Sequence, residues 1–104
     1  MRVELHVKGM DAEDALREYV ERRIHFALSR FGSRLGRVVI RLTRTDGPQA
    51  ASQKQCQIVI RLLPSGSVSA VATHADLFVA IDRAVERAGQ SVQRRLLSTR
   101  CFAR

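Results

Sequence analysis

Arginines recurring along one side of a helix are the residues of this chain best suited to chemistry, and that chemistry is the binding of anions. Between Thr73 and Leu97, Arg83, Arg87, Gln90 and Arg94 fall at i, i+4, i+7 and i+11. At about 100° per residue they collect on one side of a helix. Leu77, Ile81, Ala84, Val85, Ala88, Val92 and Leu96 collect on the other, and Asp76 stands ahead of them as an N-cap. Beyond Glu86 there is no further carboxylate, while Arg87, Arg94, Arg95, Arg100 and Arg104 follow. A second run, Arg22 to Arg44, holds seven arginines and no carboxylate. A guanidinium offers a planar, bidentate fork to phosphate. The plain alternative for any one such stripe is a solvated helix face.

Charge over the whole chain favours the anion reading. The 104 residues carry 18 Lys and Arg against 10 Asp and Glu, a net charge of +8, and all but two of the cations are arginine. Neutralising phosphates releases counterions, so a basic excess of this size points to a polyanionic partner. GC-rich codons would explain arginine in place of lysine, but not the excess itself.

Catalysis finds no comparable support. His6, His25 and His74 belong to three separate elements, with no cysteine or carboxylate at ligand spacing. No metal site and no cofactor are expected. Cys56 lies on the inward alternation of a strand, where a thiol is inert, and Cys101 lies near the C-terminus; both are read as reduced thiols. Asp76 and Asp82 fall on different sides of the last helix and cannot act as an acid/base pair. Capping accounts for Asp76, and local pairing with Arg83, or contacts of the Glu86–Arg83 type, for the neighbourhood of Asp82. No nucleotide-loop, nucleophile-elbow or metalloprotease pattern is present, so no enzyme is expected and no catalytic residue is assigned.

The elements that would position the arginines follow from periodicity. Residues Arg2 to Lys8 alternate, with Val3, Leu5 and Val7 on one face, and Gly9 ends that strand. Asp11 or Asp14 opens a helix running to about Phe31, with Ala12, Leu16, Tyr19, Val20, Ile24, Ala27 and Phe31 inward and Gly32 as C-cap. Its acidic start and basic end suit the macrodipole. Strands are expected over Arg37–Thr45, Lys54–Leu63 and Ser67–Thr73. A mobile polar loop, Thr45 to Gln53, joins the first two, and a Pro64-Ser65-Gly66 turn makes a hairpin of the last two. Then comes the helix to Leu97, with Ser98 to Arg104 as a basic, flexible tail. The order β-α-β-β-β-α implies a single α+β domain over residues 1–97, a two-layer sandwich with two helices on one face of a mainly antiparallel four-stranded sheet. No apolar run approaches the roughly 20 residues of a membrane span, and the N-terminus has no apolar block, so a cytoplasmic protein is expected.

Two segments, with this order of elements, carry a resemblance. The start of the last helix, Asp76-Leu77-Phe78-Val79-Ala80-Ile81-Asp82, and the first helix, Asp14 to Ile24, resemble the ribosome hibernation promoting factors, also known as sigma-54 modulation or ribosome-associated inhibitor proteins. The likeness covers about residues 1 to 97 and is to the short form. It implies a non-enzymatic inhibitor of translation that occupies the mRNA and tRNA channel of the small ribosomal subunit in stationary phase or stress. The expected partner is rRNA, with no small-molecule substrate, no membrane, and a monomer off the ribosome. By position, Arg83, Arg87, Arg94 and Arg95 of the last helix and Arg22, Arg23 and Arg30 of the first would contact phosphates without reading bases. The residues themselves leave two other readings open. One is a double-stranded RNA-binding module without ribosome preference; the other is an interaction protein docking an acidic partner. Gly89, in mid-helix, departs from good helix chemistry.

Overall fold

The computed structural model describes the backbone of residues 1–11, 13–45 and 53–102, and the side chains of residues 1–11, 13–44 and 53–97. Four strands and two helices follow in the order β1 (Arg2–Lys8), α1 (Asp14–Leu28), β2 (Leu35–Thr45), β3 (Gln53–Leu62), β4 (Ser67–His74) and α2 (Leu77–Phe102). This is the expected β-α-β-β-β-α order.

The sheet is ordered β1-β2-β3-β4. β1 and β2 are parallel, because α1 carries the chain back across the sheet between them. The pairs β2–β3 and β3–β4 are antiparallel. Register places Val3 beside Val38, Leu5 beside Ile40 and Val7 beside Leu42, then Leu42 beside Cys56 and Ile40 beside Ile58. One face of the sheet is therefore continuously apolar. Both helices close over it: Leu16, Val20, Ile24 and Leu28 of α1, and Ala80, Ile81, Ala84, Val85, Ala88 and Val92 of α2, are buried in one cluster with the inward strand residues. Ile24, Leu28, Ile40, Ile58, Ile60 and Ile81 are fully buried, each contributing about 1.5–3 kcal/mol on transfer from water. Alternation sends Arg2, Arg37, Arg41 and Arg61 to the other face, where they are exposed.

Several boundaries differ from expectation. α1 ends at Leu28 with Ser29 as its C-cap, and a 3₁₀ segment, Ser29–Arg34, continues the chain. Gly32 does not cap the helix; inside the 3₁₀ segment its φ of 54° and ψ of −129° turn the chain toward β2. Leu28 is buried and Phe31 half-buried along this stretch. β2 begins at Leu35, which is buried, so the expected turn Gly32 to Gly36 is already sheet at its end, through an irregular register between Leu35 and Val38. β3 is shifted one residue earlier than expected, and β4 extends to His74. The backbone of α2 is helical to Phe102, beyond the expected end at Leu97. The expected inward Ala12, the body of the loop between β2 and β3, the side chains of the tail and Cys101 lie outside the described residues.

The start of α2 is built as expected. The Phe78 N–H donates to Asp76 Oδ1 at 2.9 Å, and the Ala80 N–H donates to the Asp76 carbonyl at 3.1 Å. His74 completes the cap by accepting the Asp76 N–H on Nδ1 at 2.9 Å. Cys56 is fully buried, and desolvation pushes its thiol from its ordinary value of 9.0 up to about 12.

Candidate functional site

The side-by-side packing of α1 and α2 on one face of the sheet puts all seven candidate arginines in or beside the helical layer. Six are exposed and Arg23 is partly so. They do not form one uniform stripe, because some are occupied within the chain.

Arg23 is held by Asp82 of α2, with Nε 3.1 Å from Oδ1. The direction of that N–H is poor, so the contact is an ion pair and Nε itself remains buried without a hydrogen-bond acceptor. The same Asp82 oxygen accepts the Tyr19 hydroxyl at 2.6 Å. That bond, with burial and the nearby carboxylate charge, raises the Tyr19 pKa above its ordinary value. Phe78 meets the Tyr19 ring edge-to-face at 4.9 Å between centroids. Asp82 therefore ties α1 to α2 across 63 residues of sequence. The local pairing with Arg83 expected for it is not what the structure contains.

Arg30 lies with its guanidinium 4.7 Å from the centre of the Phe31 ring, and its Nη2 is 3.4 Å from Gln93 Oε1, a weak bond at the surface. Arg87 is committed more firmly: Nη1 donates to the Val71 carbonyl of β4 at 2.6 Å. Arg95 points away from the stripe, toward the β3–β4 turn, where its Nη2 would be 3.1 Å from a Cβ placed on Gly66. Among the described residues, Arg22, Arg83 and Arg94 have no intramolecular partner for their charge.

Two depressions lie among the candidate arginines. A groove of about 370 Å³ between the helices is bordered by Arg23 and Arg30 from the α1 side and by Glu86, Gly89 and Gln90 of α2. A smaller one of about 290 Å³ brings Arg83 together with Arg87, beside Glu86 and Gln90. Arg22 and Arg94 line neither. Sequence reasoning missed one residue here. Phe26, 81% exposed, borders the interhelical groove. The available signal was its position midway between Arg22 and Arg30, at i+4 and i+8, on the polar side of α1. On the opposite face of the sheet, Arg37 pairs with Glu4.

Chemically, the site can neutralise and hold a phosphate-bearing surface. Among the described residues no three His, Cys, Asp or Glu side chains are clustered to hold a metal, and the buried Cys56 thiol is held protonated. No helix is long and apolar enough to cross a membrane among the described residues.

Residues 3–96 match the family described as sigma 54 modulation protein / S30EA ribosomal protein. A ribosomal subunit interface protein from Coxiella burnetii has a similar structure, with a TM-score of 0.78 and 18% identity over 93% of this chain and 99% of that one. The N-terminal domain of Thermus thermophilus Protein Y superposes with a TM-score of 0.70 and 27% identity, over 90% of this chain and 98% of that one. Comparison with curated proteins finds no match.

Proposed function

This chain belongs to the sigma 54 modulation protein / S30EA ribosomal protein family, and from that premise we propose that it is a non-enzymatic inhibitor of translation that binds the small ribosomal subunit. Its helical layer faces rRNA in the channel used by mRNA and tRNA, in the cytoplasm, during stationary phase or stress. The observation that carries this reading is the set of exposed guanidiniums on the two helices, of which Arg22, Arg83 and Arg94 have no intramolecular partner among the described residues. Unpaired surface cations repel one another and contribute nothing to folding, whereas against phosphate each displaces a counterion. Arg23, Arg30 and Arg87 act in the same surface with part of their hydrogen-bonding capacity already used, and Arg95 contributes from the hairpin end.

The test is co-sedimentation with ribosomes through a sucrose gradient at near-physiological salt, with duplex RNA as competitor. The wild-type chain is expected to travel with the small subunit at saturable stoichiometry. Replacing Arg22, Arg83 and Arg94 together by Glu should abolish that binding and leave the fold intact. With the three changed to Gln, the slope of log affinity against log salt should fall by about 2 to 3, at roughly 0.7–0.9 per phosphate contact. Binding to duplex in preference to ribosomes would mean a general RNA-binding module. Full ribosome binding by the Glu variant would remove the helical layer from the interface.

A further inference from the structure

Gly89 occupies the middle of α2, where glycine is the least favourable residue short of proline. Glycine is usually kept in such a place because a neighbour leaves no room for a side chain. Here a Cβ would meet no other atom within 4 Å, so packing within the described residues does not demand it. The space above Gly89 opens into the interhelical groove, and Phe26 borders that groove with a ring that is 81% exposed. A large apolar side chain left in water and a side chain left out of a helix thus converge on one cleft.

Ala27, Val85 and Gly89 give the groove an apolar lining, Phe26 an aromatic one, Arg23 and Arg30 a cationic border on the α1 side, and Glu86 with Gln90 the facing rim on α2. Arg23 meets Asp82 through Nε, which leaves its Nη groups for a ligand. An apolar peptide side chain would use the lining and have no use for two guanidiniums. A free phosphate would use the guanidiniums and have no use for the ring. A nucleotide uses both. At about 370 Å³ the groove lies at the small end of the roughly 300–1,000 Å³ typical of ligand clefts.

We propose that the groove between α1 and α2 receives one unpaired base of a single-stranded RNA, stacked on Phe26 and over Gly89, with its flanking phosphates held by Arg23 and Arg30. This rests on the RNA-facing role of the helical layer and refines it: one position of the strand is held by its base, in addition to the phosphate contacts elsewhere. Stacking on an aromatic side chain tolerates any base, because every base has a π-face.

The experiment compares two probes at fixed salt, an oligoadenylate and an abasic ribose-phosphate strand of equal length, with ribosome co-sedimentation of the wild-type chain in parallel. Phe26→Ala should weaken oligoadenylate binding between about fivefold and about 150-fold and leave the abasic strand unchanged. Phe26→Trp should restore the binding, and Gly89→Leu, which fills the groove, should mimic the loss. Phe26 is so exposed that its replacement leaves the core untouched, and thermal melts of each variant check this. Equal affinity of the wild-type chain for both strands, no binding to either, or an equal effect of Phe26→Ala on both, would overturn the proposal. If the wild-type chain still sediments with ribosomes, only the groove assignment falls; if it does not, the ribosomal reading falls with it.

Discussion

Replacing Tyr19 by Phe and Asp82 by Ala, singly and together, isolates the contact that joins the two helices. The Tyr19 hydroxyl donates to an Asp82 oxygen at 2.6 Å, and that oxygen also faces Arg23. Hydrogen bonds to charged groups contribute about 1.5–3 kcal/mol when shielded. The Asp82 side chain is 43% exposed and the Arg23 side chain 38%, so solvent screening reduces this to about 1 kcal/mol. Each single variant should therefore lose about 1 kcal/mol, with Asp82→Ala losing somewhat more because it also strands Arg23. The double variant should lose about 1 kcal/mol less than the sum. For a domain of this size 1 kcal/mol corresponds to about 4–8 °C in Tm, which calorimetry resolves. The wild-type chain should in addition lose stability at high pH. The Tyr19 pKa is raised in the folded state, so the contribution is complete below the ordinary tyrosine value and disappears as pH rises through the folded one. Tyr19→Phe should flatten that part of the pH profile. A coupling energy within about 0.3 kcal/mol of zero, the scatter of independent sites, would refute the reasoning and reduce the Tyr19–Asp82 contact to surface decoration.

Two further outcomes are expected. Cys56 should resist thiol reagents at pH 8 in the folded chain and react at once in denaturant, and its pKa of about 12 means that stability is lost as pH rises from 9 toward 12; rapid labelling of the native chain would contradict its burial. Gly89→Ala should stabilise the chain by up to about 1 kcal/mol, since alanine is the better helix former and its Cβ meets nothing, so an unchanged or lowered Tm would show that the space is needed by the fold itself.

The periodic elements were legible in the sequence because one apolar face imposes one period. Val3, Leu5 and Val7 alternate and pack half-buried against the core, and Ile81, Ala84, Val85, Ala88 and Val92 recur at helical spacing and are buried in it. The stop of α1 was not legible: Gly32 has the residue type of a C-cap, but the chain passes into 3₁₀ winding at Ser29, ahead of it. Within the candidate surface, residue type and spacing identified the arginines and could not identify their partners. Arg23 and Asp82 are 59 positions apart, and Arg87 finds a backbone carbonyl of β4. Contacts of that kind are set by how the helices cross the sheet, which periodicity does not encode. Phe26 was passed over for a related reason. It falls off the apolar stripe, and a single aromatic on a polar face acquires meaning only when the neighbouring helix supplies the other wall.

The bond from Arg87 to the Val71 carbonyl has a consequence for how copies of this chain meet one another. β4 is a border strand of the sheet, and an open border offers its main-chain groups as a template on which a strand from another molecule can assemble. A charged side chain laid across one of those groups must be displaced before a foreign strand can continue the ladder there. The residue proposed to meet nucleic acid thus also covers part of that border. Its loss would be felt first as a tendency to aggregate at high concentration.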